Sequence, residues 1–134
     1  MKAKTVKALM VEPNKHPCVV DLNTDLDSLQ KAVSIGADYQ GLIEFVWLEN
    51  NVSLLLNEEG KLIGLEPNRR FYDDILCGVF YVVAENDDGE LISLTIEQQE
   101  HYTSMFYNPD KISKESVENT IFFRIFKAGD EDGI

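Results

Sequence analysis

Short apolar runs, each closed by a cluster of Asn, Asp, Glu, Gly or Pro, recur along most of this 134-residue chain, and that spacing commits it to strands joined by turns. Thr5 to Val11 is stopped by Glu12-Pro13-Asn14, and Cys18 to Leu22 follows as its hairpin partner. Tyr39 to Leu48 and Val52 to Leu56 flank Glu49-Asn50-Asn51, and Asn57-Glu58-Glu59-Gly60 leads into Lys61 to Leu65 as the third strand of a meander. Val79 to Ala84 reads as a buried strand, Glu85 to Glu90 as a turn and Leu91 to Leu94 as the return strand. Pro67 lacks a ladder donor and restricts Glu66, so Glu66 to Arg70 is expected to form a loop or a short turn of helix.

Two segments carry helical signals instead. Asn23-Thr24 offers a cap, with Asp27 three residues after Thr24 and Leu26, Leu29, Ala32 and Val33 at helical spacing, which predicts a helix over 25–35. Thr95 caps a second helix running to Phe106, with Ile96, Tyr102 and Met105 as its inner face, before Asn108-Pro109-Asp110 ends it. Ile121 to Phe126 is a candidate last strand, and Ala128 to Ile134 is a polar tail. The expected fold class is therefore α+β, a mainly antiparallel sheet built from hairpins with two or three helices packed on it. One domain spans 1–128, and residues 129–134 form a frayed acidic end.

Charge narrows the function classes. The formal net charge is −12; residues 1–20 contribute +3 and residues 21–110 contribute −14. From Phe71 to Asp110 there are nine acids and no Lys or Arg. Direct binding to nucleic acid through phosphate neutralisation needs a basic stripe and is disfavoured, whereas binding to a basic protein surface is allowed. No stretch approaches the length of a membrane span or a leader's apolar run, so a cytoplasmic location without membrane contact is expected.

Chemistry-bearing residues are sparse. Cys18 and Cys77, 59 positions apart, read as reduced core thiols. His16 reads as a loop residue and His101 as a helix residue, without ligand spacing. The acidic turn Glu85 to Glu90 lacks the full calcium-loop pattern, and Asp25 and Asp27 suit a helix's first turn better than a metal. No catalytic residue, metal or cofactor is expected. Two constellations remain. Asp73, Asp74, Glu85, Asp87, Asp88, Glu90, Glu97 and Glu100 could imitate the phosphate array of duplex DNA and occupy the basic cleft of a nuclease or CRISPR effector, against the plainer reading of a solvated face. Asn68, Arg69, Arg70 and Tyr72 combine guanidiniums with an aromatic in a manner suited to a nucleotide, against the plainer reading of Arg pairing with local acids or carbonyls. A structural or regulatory interaction module is a third reading, and an apolar edge could allow a homodimer.

Lys7-Ala8-Leu9-Met10-Val11-Glu12-Pro13, Asn57 to Leu65, Pro67-Asn68-Arg69, Asp74-Ile75, Gly78, Phe80 and Ser93 to Gln98 together give the chain a family likeness. Over roughly residues 6–105 it resembles the domain of unknown function 3846 family. It departs from the family pattern at Glu66-Pro67, where two prolines often precede Asn-Arg. The resemblance implies a small accessory protein of phages, plasmids and conjugative elements, often near anti-restriction and other counter-defence genes. It implies no enzyme activity and carries over no catalytic residue.

Overall fold

The computed structural model describes residues 4–121. Strands β1 (Thr5–Val11) and β2 (Cys18–Asn23) form the first hairpin, β3 (Ile43–Glu49) and β4 (Val52–Asn57) the second, and β7 (Phe80–Glu85) with the short β8 (Leu91–Ile92) another. One antiparallel sheet results, in the order β2-β1-β7-β4-β3, with β8 beside the end of β7. The longest buried run in the sequence has become the central strand, because a strand flanked by neighbours and covered on both faces tolerates no polar position. Phe80 to Ala84 are all buried.

Each face of the sheet has its own cover. Helix α1 (Leu26–Ala32) places Leu29 and the following Val33 against Val6, Ala8, Leu22, Leu55, Tyr81 and Val83. On the opposite face, helix α2 (Ile96–Met105) brings Tyr102, with Phe106 at its C-terminus, onto Leu9, Val11, Leu54, Phe80 and Val82. The capping box of Thr95 and Gln98 fixes where α2 begins. A third helical segment, residues 114–121, packs Val117 against Leu65, Ile75 and Cys77. The α+β class and the antiparallel hairpin sheet are thus as expected from the sequence.

Several local expectations are corrected. Lys61 to Leu65 is not a strand: residues 58–64 turn. Gly60 lies so close to the Cys77 carbonyl that a Cβ there would sit 2.7 Å from the oxygen, and Gly64 has φ +76, so this stretch folds tightly instead of extending. Glu66 to Arg70 is not a loop or helical turn either. Pro67–Phe71 is β5, paired with β6 (Asp74–Cys77) in a separate two-stranded sheet, and Pro67 is tolerated because it opens an edge strand.

The smaller corrections concern caps and faces. Helix α1 is capped by Asp25, whose carboxylate accepts from Ser28 N at 2.9 Å, and not by Asn23 or Thr24; it is also shorter than expected. On α2 only Tyr102 faces inward, while Ile96 and Met105 are exposed because the helix rests on the sheet through Tyr102 and Phe106. Cys77 is a buried thiol as expected, but Cys18 is exposed at the start of edge strand β2. The helical segment ends the described chain at Ile121, where a strand was expected; the rest of that expected strand and the expected tail lie outside the described residues.

Candidate functional site

At the lower end of the sheet, where β7 begins, Asn68 and Arg69 form a buried junction. The β5 register slips between Pro67 and Arg69, and this bulge leaves Asn68 unpaired within the ladder and free to use its amide elsewhere. Its Nδ2 donates to the carbonyls of Val11 and Gly78, both at 2.8 Å, and its Oδ1 accepts from Arg69 Nη1 at 2.7 Å. Arg69 is 2% exposed, and its Nε and Nη2 donate to the Phe106 carbonyl at 3.1 and 3.0 Å. Nη2 also donates to Lys15 O at 2.6 Å, and Nη1 to Asn68 O at 3.3 Å. Five donated bonds match the five N–H groups a guanidinium carries.

The sequence suggested Asn68 and Arg69 as ligand groups, but the fold spends them on itself. They clasp the β1–β2 turn, the start of β7 and the C-terminus of α2, where a cation also complements the carbonyl end of the helix. Burial lowers the Arg69 pKa and nearby Asp110 opposes that shift. Arg70 and Tyr72 point elsewhere. Both are exposed and line a pocket of about 380 Å³ that also includes Phe71, Met105 and Asp110. The Arg70 backbone N–H donates to Asp110 at 2.8 Å, so a carboxylate already occupies the wall where an anionic ligand would need to approach.

The acidic positions separate into two groups. Asp73 and Asp74 belong to the β5–β6 hairpin, where Asp74 is ion-paired with Lys61. The other six lie at the upper end of the main sheet. Glu85, Asp87, Asp88 and Glu90 occupy the β7–β8 turn, and Glu97 and Glu100 occupy the first half of α2. Asn86 organises that turn by accepting the N–H groups of Asp88 and Glu90, each at 3.0 Å, and Gly89 supplies a φ of +79. The turn's backbone needs are therefore met without its carboxylates.

Asn51 joins these elements. Its amide donates to Glu85 O at 3.2 Å, its backbone carbonyl accepts from Glu85 N at 2.9 Å, and its Oδ1 accepts from Gln98 at 3.2 Å. The β3–β4 turn, the β7–β8 turn and α2 thus share one end. None of the six carboxylates forms an ion pair with a Lys or Arg among the described residues, and Lys7 on β1 is engaged by Asp21 at 2.6 Å. Sequence reasoning missed Glu49, which ends β3 beside this group. It accepts from the Tyr102 hydroxyl at 2.7 Å and lies 3.4 Å from His101 Nε2. Burial and then Glu49 hold the Tyr102 pKa well above the usual phenol range. Glu49 faces Val52 across the Asn50-Asn51 turn, and the sequence marked it only as an acid beside that turn.

Among the described residues, no three His, Cys, Asp or Glu side chains gather as a metal-binding group, and no helix is long and apolar enough to cross a membrane. His16 stacks on Tyr107, with ring centroids 4.1 Å apart, and its Nδ1 lies 2.6 Å from the Tyr107 carbonyl. The molecule is an α+β protein with an antiparallel sheet covered on both faces, an arginine-centred junction at one end and, at the other, acidic residues without a Lys or Arg partner among the described residues. The family model described as a domain of unknown function, DUF3846, matches residues 6–107, and the chain belongs to that family. No curated protein and no solved structure matches the chain.

Proposed function

We propose that this protein is a non-enzymatic accessory protein that binds, and thereby inhibits, a nucleic-acid-handling protein of the host cell through its acidic end. The observation that carries this reading is that Asn51 ties together the β7–β8 turn and α2, the two elements that carry Glu85, Asp87, Asp88, Glu90, Glu97 and Glu100, none of which has a Lys or Arg partner among the described residues. Like-charged groups held together repel one another, so a fold that positions them by backbone and amide bonds gains no internal stability from their charge. That charge is available to a cationic cleft. Duplex DNA offers such a cleft about one charge per ~1.7 Å of axis, and carboxylates on a turn and an adjoining helix offer it charge of the same sign.

Counter-defence against a restriction nuclease or CRISPR effector is the biological setting proposed, in keeping with the mobile-element association that the family resemblance implies. The protein would act in the cytoplasm on a basic protein surface and would not contact nucleic acid itself. The nucleotide-binding alternative is weaker, since Asn68 and Arg69 are saturated internally and Asp110 sits beside Arg70.

The test is retention of tagged protein partners from a lysate containing restriction and CRISPR systems, followed by a cleavage assay on any nuclease retained. The expected result is release of the nuclease as salt rises and a fall in cleavage as the purified protein is added. A retained nuclease whose cleavage is unaffected, or retention that is indifferent to salt, contradicts the reading.

A further inference from the structure

We propose a second docking site, independent of the acidic end: the free edge of β3, which takes an extended segment of a partner protein that sets apolar side chains and Lys or Arg together on one face and apolar side chains on the other. Strand β3 pairs with β4 on one side and ends the strand order on the other, so among the described residues its outer row of backbone N–H and C=O groups has no strand partner. An open edge is a template for strand addition, in which main-chain bonds supply affinity and alternate side chains supply selectivity.

Both faces beside this edge are prepared for side chains. On one, a pocket of about 430 Å³ has Val46, Leu56 and Leu76 in its apolar wall and the exposed carboxylates Glu44, Glu58, Glu59 and Asp73 around it. Those four form no ion pair with a Lys or Arg among the described residues; Lys61, also in the wall, is engaged by Asp74. Apolar groups can fill such a pocket while cations meet its rim, and a purely apolar or anionic segment would leave the carboxylates unpaired or repelled. On the other face of the strand, the cluster under α1 takes in Ile43 and Leu55 but leaves Phe45 47% exposed and Trp47 68% exposed. Large apolar side chains left in water beside an open strand edge favour coverage by an added strand.

The full-length protein is titrated with a synthetic nonapeptide whose odd positions alternate Lys with Val and whose even positions are Phe, followed by calorimetry, amide hydrogen exchange and the emission of Trp47, the chain's single tryptophan. Binding should slow exchange at β3 amides and shift Trp47 emission to shorter wavelength. The E44Q/E58Q/E59Q/D73N variant should bind about tenfold more weakly, since several exposed charge pairs are lost together. The E85Q/D87N/D88N/E90Q variant should bind as the wild type does. A peptide with Ser at the apolar positions should not protect β3. Absence of binding overturns the proposal, whether the edge is simply inert, taken by a second copy or taken by residues 122–134. Equal weakening in both variants also overturns it, since the peptide would then be responding only to overall charge. Either result leaves the salt-dependent capture of a nuclease by the acidic end to be judged separately.

Discussion

At the Arg69 junction a guanidinium is withdrawn from water and each of its N–H groups is given an oxygen, whereas at the upper end of the same sheet six carboxylates stand without a described Lys or Arg. Both regions join a turn, a strand end and a terminus of α2. The first does so through the charged side chain itself, and the second through Asn51, Asn86 and the Thr95–Gln98 cap. Charge that holds elements together is part of the fold; charge that the fold has bypassed is available for another molecule. The contrast even separates neighbours, since Arg69 is buried and Arg70 is exposed.

The largest expected effect tests the structural half. Arg69→Ala leaves the Phe106 and Lys15 carbonyls and the Asn68 amide oxygen short of a buried donor, and it should cost about 3 kcal/mol or more by urea denaturation. Arg70→Ala should stay within about 0.5 kcal/mol, as an exposed side chain that forms no bond among the described residues. Similar losses for the two would erase the distinction between them.

Alkaline titration sharpens the same comparison, because buried proton donors belong to the fold. Burial pushes the Cys77 thiol up to about 11 and the Tyr81 hydroxyl up to about 12. In the unfolded chain these groups titrate at about 8.5 and about 10, so above those values the unfolded state binds fewer protons and stability falls as pH rises. The contribution of each is intact below its unfolded value and lost by its folded one. The combined loss should be on the order of a few kcal/mol, read from chemical denaturation between pH 8 and 11, and Cys77→Ala should remove the earlier part. A stability curve flat across that range would contradict the buried assignment.

A smaller effect is expected beside the acidic group. Tyr102→Phe removes the hydroxyl that reaches Glu49 at 2.7 Å and should cost about 1–2 kcal/mol. The smallest effect on stability belongs to E85Q/D87N/D88N/E90Q, which should stay within about 1 kcal/mol of wild type because none of these side chains forms an ion pair among the described residues. Partner capture by that variant should nevertheless be lost.

The hairpin plan was legible in the sequence because its turns carry their own chemistry. Asn14 and Asn50 adopt positive φ between apolar runs, and Thr95 with Gln98 announces α2. The β5–β6 hairpin was not legible. Its turn places Tyr72 at φ 55, a conformation that no local residue preference announces for tyrosine, and Pro67 argued against a strand that proved to lie in a separate small sheet. The acidic turn could be read as a turn, but its union with α2 depends on Asn51, 34 residues before Glu85, and no local pattern encodes that. Arg69 misled for a related reason: a guanidinium suits a phosphate and a set of carbonyls equally well, and only the fold decides which it meets.

The most direct test of the central claim compares wild type with E85Q/D87N/D88N/E90Q in capture of nucleic-acid-handling proteins from the same lysate, at stepped salt concentrations. The account predicts that wild type retains such a protein at low salt and releases it as salt rises, while the equally stable variant retains none. Equal retention by the two proteins would contradict it.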